Sequence, residues 1–160
     1  MNEGVNEMTT FDFGNGPVPA HQHSNGGGWV ADTATVSETA YVGPNAVVSG
    51  NARVIDNAEV YDNAVVTDNA VVTDRVVVSG DARVSGNAKV YDNALVSGYA
   101  CVNGNAWVTG DAWVSDNARV YGNAKVYDNV KVIDNARVYN NARVYDYAWV
   151  TGNARVTGNE

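Results

Sequence analysis

Valine recurs at every sixth position between Val30 and Val156, 22 times without interruption. Counting valine as the first place, the fifth place is alanine in 19 of 21 complete hexads, with Val76 and Val130 as the exceptions. The third and fourth places are mostly Asp-Asn or Gly-Asn. Because successive side chains of a strand point to opposite faces, the alternation predicts a short strand with alanine and valine inside. Gly and Asn tolerate the positive φ of a tight corner, so each hexad predicts one strand and one corner.

A strand this short buries nothing alone, and a fixed period indicates a solenoid in which stacked units build one core. The six-residue unit resembles the hexapeptide repeat of left-handed parallel β-helices, in which an aliphatic residue follows a small one by two places. The resemblance covers about four fifths of the chain and implies the left hand. We therefore predict an all-β fold, a single-stranded left-handed parallel β-helix shaped as a triangular prism. About seven coils of 18 residues are expected over residues 29–160, with a short irregular N-terminal cap over residues 1–28.

Three details of this prism are expected from the sequence. Phe11 and Phe13 are expected to cover the open top, as a terminal cap must. Three consecutive glycines, Gly26 to Gly28, indicate sharp turning or close backbone approach before the first coil. The fourth-place asparagines are expected to point inwards and to bond from coil to coil as ladders.

Composition narrows the function. The net charge of −8 disfavours nonspecific binding of nucleic acid through its phosphates. The single cysteine, Cys101, falls on an outward place and excludes an intrachain disulfide framework. No apolar run approaches membrane-spanning length, and no signal-peptide pattern opens the chain. We expect a cytoplasmic protein, in a bacterial host cell or a phage particle.

Assigning successive hexads to three faces in turn predicts three outward ladders. The first face carries Trp29, Val47, Val65, Arg83, Cys101, Arg119, Arg137 and Arg155. The second face carries Thr35, Arg53, Val71, Lys89, Trp107, Lys125 and Arg143. The third face carries Tyr41, Glu59, Val77, Leu95, Trp113, Lys131 and Trp149.

The third face is the most apolar, because Val77, Leu95 and Trp113 are expected to lie one above another on its outside. A contiguous exposed apolar strip usually marks association. The resemblance implies trimers that pack face to face, so we predict that this strip is a homotrimer interface. A tolerated apolar β-surface is the alternative. The strand edges of the last coil are also expected to allow end-to-end dimerisation.

Basic residues and tyrosines flank the same inward valines in the C-terminal half. Such pairs, together with outward tryptophans, are suited to a flat anionic ligand such as a nucleotide. The alternative is a surface of β-favouring tyrosines and solubilising charges. The candidate ligand-binding residues are Trp107, Trp113, Arg119, Tyr121, Arg137 and Tyr139.

A second candidate site is the pair His21 and His23. A strand would place both imidazoles on one face, and three copies on a trimer axis would offer six nitrogens to a transition metal. The alternative is surface histidines or cap residues held by hydrogen bonds.

The resemblance also raises acyltransferase activity, since many hexapeptide proteins transfer acyl groups from coenzyme A or acyl carrier protein. Those enzymes generally use a histidine base and a loop that interrupts the repeat. This chain has no interruption after Val30 and no histidine after His23, so the general base is missing from the coils. Zinc carbonic-anhydrase chemistry needs three histidine ligands, and this chain has two histidines. We therefore predict a non-enzymatic structural or interaction protein without a cofactor, with ligand binding as the alternative and acyl transfer as the lesser one.

Overall fold

A computed structural model describes residues 9–158 of the chain. All regular structure in this range is β, and it forms 24 short strands in three sheets. We call the end of the solenoid nearer residue 29 the upper end and the other the lower end. Residues 9–158 contain no helix that is long and apolar enough to cross a membrane.

Each sheet forms one face of the solenoid. The first face contains β1 (Thr10–Asp12), β2 (Pro17–Gln22), β3 (Trp29–Ala31), β6 (Val47–Val48), β9 (Val65–Val66), β12 (Arg83–Val84), β15 (Cys101–Val102), β18 (Arg119–Val120), β21 (Arg137–Tyr139) and β24 (Arg155–Thr157). The second face contains β4 (Thr35–Val36), β7 (Arg53–Val54), β10 (Val71–Val72), β13 (Lys89–Val90), β16 (Trp107–Val108), β19 (Lys125–Val126) and β22 (Arg143–Val144). The third face contains β5 (Tyr41–Val42), β8 (Glu59–Val60), β11 (Val77–Val78), β14 (Leu95–Val96), β17 (Trp113–Val114), β20 (Lys131–Val132) and β23 (Trp149–Val150).

From β3 onwards, every strand pairs in parallel with the strand 18 residues away along the chain. On the third face, for example, Leu95 pairs with Val77 above it and with Trp113 below it. The same register holds on the first and second faces, so the three predicted outward ladders are confirmed residue by residue. The chain is a β-solenoid of about seven turns, as the six-residue period predicts.

The core consists of the inward valine and alanine columns. From Ala40 to Val138 every first-place and fifth-place residue has no exposed surface. Val76 and Val130, the two exceptions to alanine, are buried as completely as their neighbours. Burial of one valine side chain contributes roughly 1.5–3 kcal/mol, so the stack of valines drives folding against chain entropy.

The corners are held by aspartates. Eighteen third-place residues along the repeat have positive φ: eight are glycine, nine are aspartate and one is Asn140. Asp and Asn tolerate this conformation better than other residues with a side chain. At seven corners the Asp carboxylate accepts a hydrogen bond from the backbone N–H of the third-place residue one coil below. Much of the acidic charge is therefore part of the scaffold.

The asparagine ladder exists, but the prediction that it points inwards is wrong. The amides of Asn87, Asn105, Asn123 and Asn141 bond in series at 3.2–3.3 Å between the first and second faces. These side chains are exposed. The reason is steric, because the valine and alanine columns already fill the interior and leave the fourth place on the outer edge of the corner.

The segment before the repeat is more regular than the irregular cap that the sequence predicts. β1 and β2 form an antiparallel hairpin, and β2 pairs antiparallel with β3, so the segment extends the first face. Phe11 contacts Phe13 and stacks on Trp29 of the first face at 4.9 Å between ring centroids. The two phenylalanine rings therefore pack beside this face and do not cover the open top.

The glycine run is confirmed as a place of close approach. A Cβ on Gly26 would lie 2.1 Å from the carbonyl oxygen of Val42, and one on Gly28 would lie 2.3 Å from that of Gly43. The backbone N–H of Gly28 donates to the Val42 carbonyl at 3.0 Å. The run thus lets the chain lie against the first corner of the third face before it enters β3.

Candidate interaction surfaces

The third face displays two tryptophans separated by a lysine. Trp113 is 45% exposed and Trp149 is 63% exposed. The Lys131 ammonium lies 4.6 Å from the Trp113 ring centroid and 4.7 Å from that of Trp149. Such cation–π contacts hold long side chains in place and contribute about 0.5–1 kcal/mol at exposed sites. The lower third face is therefore an ordered aromatic surface with one positive charge.

The predicted apolar strip lies directly above these residues. Val77, Leu95 and Trp113 occupy consecutive strands, as the ladder assignment requires, and Val77 and Leu95 are half-buried. The second-place residues beside this strip are small, namely Ser79, Ser97 and Ser115. The middle of the third face therefore carries an apolar strip and small side chains that protrude little. Its role as an interface stays a prediction.

The upper third face contains a groove of about 470 Å³. Its walls combine aromatic rings with two acidic side chains, and the residues that line it are Tyr41, Pro44, Asn45, Glu59, Tyr61 and Asp62. Glu59 is exposed and forms no ion pair within residues 9–158. The groove therefore offers an apolar wall and an uncompensated carboxylate on the same face as Lys131.

Four of the six predicted ligand-binding residues come together on the lower first face. Arg119 and Arg137 are direct cross-strand neighbours, and the rings of Tyr121 and Tyr139 stack at 5.2 Å with an angle of 7°. Arg155 pairs below Arg137, so three guanidinium groups stand in one column. None of the three forms an ion pair within the described part of the chain. Like charges on neighbouring strands repel, which an anion would relieve.

The two predicted tryptophans lie elsewhere. Trp107 is on the second face, where the ammonium groups of Lys89 and Lys125 lie 5.5 and 4.7 Å from its ring centroid. Trp113 is on the third face. The six residues consequently belong to three separate surfaces, because outward residues six positions apart turn to successive faces.

The environment of Tyr91 on the second face shifts the pKa of its phenol. Burial raises the pKa of its phenol above 10.0, and the Asp92 carboxylate acts in the same direction. The ring packs edge-to-face on Trp107 at 6.1 Å. The neutral phenol is therefore the form that the folded state prefers.

This shift predicts a loss of stability in alkali. Above pH 10 the unfolded chain loses the phenol proton more readily than the folded chain, so the free energy of unfolding falls as pH rises through the folded pKa. Tyr91→Phe should reduce this alkaline loss while leaving stability at pH 7 little changed. Urea unfolding of both proteins over pH 8–12 measures the difference. Identical profiles for the two proteins would rule out the contribution.

The two histidines do not share one exposed face. The His21 imidazole is exposed, and its Nδ1 lies 2.7 Å from Asp32 Oδ1. His23 follows the end of β2, is 7% exposed, and its Nε2–H donates to the carbonyl of Ala40 at 2.8 Å. The two rings thus differ in exposure and in hydrogen-bond partner, and metal binding by the pair stays a prediction. Within residues 9–158 no cluster of three or more potential metal ligands forms.

Two charged residues outside the predicted sites border the third face. Arg75 and Asp111 occupy fourth places, which are asparagine in most hexads, and both are exposed. They lie at the corner between the second and third faces, two coils apart. The signal that marks them is their departure from the repeat, since a scaffold position needs neither charge.

Comparison with known proteins supports the repeat. The sequence model of the YdcK beta solenoid repeat matches residues 112–128 and 136–152, about a fifth of the chain. No curated protein matches the chain in sequence. Both matched stretches lie in the lower half of the solenoid and are each almost one coil long. The chain is therefore similar to a β-solenoid repeat protein in sequence as well as in structure.

Proposed function

We propose that this chain is a non-enzymatic structural or interaction protein, a rigid β-solenoid that presents its outward faces to a macromolecular partner. The observation that carries the proposal is the unbroken pairing from β3 to β24 at constant register. Continuous stacking makes a stiff rod whose core and corners are occupied by scaffold bonds. Side-chain variety is concentrated on the outward places, where a partner would make contact.

Ligand binding is the second candidate, and the lower first face favours it. The column of Arg119, Arg137 and Arg155 lies beside the stacked rings of Tyr121 and Tyr139. Guanidinium groups next to aromatic rings suit a flat anion, such as a nucleotide. Acyl transfer is the lesser alternative, and binding of coenzyme A tests it.

Native mass spectrometry of gently purified protein separates the first two candidates. We expect masses equal to whole numbers of the 16.9 kDa chain. A discrete excess mass would contradict the structural role and identify the bound molecule. If an excess appears, the double variant Arg119→Ala, Arg137→Ala should lose it. Arg143→Ala on the second face is the matched control, since it removes one arginine from a similar strand position.

Three finer properties belong to the same proposal. The Ala-x-Val phase of the hexads supports membership of the hexapeptide-repeat class and a left-handed turn of the coil. A cytoplasmic location in a bacterial host, or in a phage particle, fits the single cysteine. A crystal structure tests the hand, and fractionation of the source cells tests the location.

A further inference from the structure

We propose that the third face binds the third face of a second copy of this chain, with the two solenoids antiparallel. This inference rests on the proposed interaction role and names the partner. A two-fold axis through the middle of the face, parallel to its strands, superposes the two faces with the order of coils reversed. Leu95 then meets Leu95, and every other residue meets the one equally far on the other side of Leu95.

Two pairs of residues with opposite charge are matched under this rotation. Glu59 lies two coils above Leu95 and Lys131 lies two coils below it, so each meets the other on the second copy. At the neighbouring corner, Arg75 and Asp111 lie one coil above and one coil below Asn93 and are matched in the same way. Two-fold symmetry makes each contact twice, which gives four ion pairs.

The shapes of the two ends are complementary as well. Tyr41 lies three coils above Leu95 and Trp149 lies three coils below it. The groove of about 470 Å³ beside Tyr41 and Glu59 therefore receives the exposed Trp149 ring and the Lys131 ammonium of the second copy. The protruding lower end of one face fits the hollow upper end of the other.

The middle of the face permits close contact. Val77 meets Trp113, and the apolar strip is covered along its whole length. In the adjoining column Ser79 meets Ser115, and Ser97 meets Ser97, so no large side chain holds the centres apart. Covering Leu95 and Trp113 removes exposed apolar surface from water, which favours association.

Other arrangements lack this match. Parallel packing of two third faces places Glu59 beside Glu59 and Lys131 beside Lys131. A parallel trimer through this face likewise brings residues of the same charge together at each of these levels. The second face fails in the antiparallel sense, because Lys89 would meet Lys89 and Arg53 would meet Lys125. The third face alone combines a central apolar strip with charges of opposite sign at equal distances.

Acidic corners are the opposing contribution. The rotation brings Asp56 to the level of Asp128 at one rim and Asp62 to the level of Asp134 at the other, and Asp92 meets its own copy. The Asp128 carboxylate is turned along its corner to the backbone N–H of Asp146 at 3.0 Å, and that of Asp56 accepts from Thr73 Oγ1 at 2.6 Å. These bonds direct both carboxylates along the solenoid edge, and water screens the remaining repulsion.

The small size of the face limits the affinity. Seven strands at about 4.8 Å and a width of about four residues give a flat area on the order of 450 Å² per copy. This lies below the roughly 800 Å² per partner of a standard interface. We therefore expect a concentration-dependent dimer with a dissociation constant on the order of 10 µM, weakened by salt because salt screens its ion pairs.

Charge reversal followed by sedimentation velocity tests the register. Glu59→Lys and Lys131→Glu should each weaken the dimer on the order of tenfold or more, because each variant makes two like-charge contacts. The double variant Glu59→Lys, Lys131→Glu should restore it. The control is Lys125→Glu, which also loses a contact to a tryptophan but lies on the second face. Arg75→Glu, Asp111→Arg and their combination provide an independent second series.

The outcomes separate this inference from the proposed function. A monomer at all soluble concentrations, a trimer, or a dimer that is indifferent to both charge-reversal series overturns the antiparallel pair and leaves the scaffold role standing. A bound small molecule in a dimer that responds to charge reversal contradicts the proposed function alone. Circular dichroism of every variant confirms that the solenoid is intact.

Discussion

Val96→Asp is expected to abolish the folded state under ordinary conditions. Val96 has no exposed surface and lies between Val78 above and Val114 below in the third-face column. A carboxylate at this position is buried without a partner, which costs on the order of 5 kcal/mol. That loss is comparable to the whole stability of a typical domain. Urea unfolding followed by circular dichroism should show no cooperative transition, or one at a much lower urea concentration.

The neighbouring residue provides the control. Leu95 is on the same strand and points outwards, so Leu95→Asp should cost at most about 1 kcal/mol of folding stability in the monomer. It should nevertheless weaken the antiparallel dimer, because two carboxylates would face each other at the symmetry axis. Equal destabilisation by both variants would contradict the assignment of inward and outward places.

Removing one corner aspartate is expected to have the second largest effect. Asp68 has φ of 61°, and its carboxylate accepts from the backbone N–H of Gly86 at 2.9 Å. Asp68→Ala loses this charge-assisted bond and leaves an alanine in the left-handed region, so we expect a loss of about 2–3 kcal/mol. Thermal and urea unfolding measure it. The corner lies between the first and second faces, away from the proposed interface.

Two further substitutions separate the bond from the backbone strain. Asp68→Gly loses the hydrogen bond but accepts the positive φ, so about 1 kcal/mol is expected. Asp68→Asn keeps an acceptor and tolerates the conformation, so the loss should be smaller still. If alanine, glycine and asparagine were equally tolerated, the corner bonds would contribute nothing to stability.

The six-residue period was sufficient to predict the coils, the three faces and the outward ladders. Valine and alanine alternate with the strand period, and three hexads close one turn, so the register follows once the strands stack. Features that do not follow the period were harder to predict from the sequence. The hairpin of β1 and β2 depends on pairing with β3, and no periodic pattern in the sequence predicts that pairing. The outward direction of Asn105 depends on how completely the core is filled.

The interaction surfaces could be predicted only in part. The strip of Val77, Leu95 and Trp113 is evident from sequence because its members share one ladder. The groove combines Tyr41 with Glu59 and Tyr61 across two coils, and its depth depends on side-chain packing. The match between Glu59 and Lys131 becomes evident only when residues are compared by their distance from Leu95 at the centre of the face. Sequence alone places both residues on one ladder without relating one to the other.

Cross-linking between the two serine columns tests the antiparallel pair most directly. In a Cys101→Ser background, Ser79→Cys and Ser115→Cys are made in separate chains, mixed, and treated with a short bismaleimide, which adds to one thiol at each end and spans the roughly 10 Å between packed sheets. We expect a covalent dimer in the mixture and in Ser97→Cys alone, and little in Ser79→Cys alone. Efficient linking of Ser79→Cys to itself, with no link between Ser79→Cys and Ser115→Cys in the mixture, would show parallel packing and contradict the proposed interface.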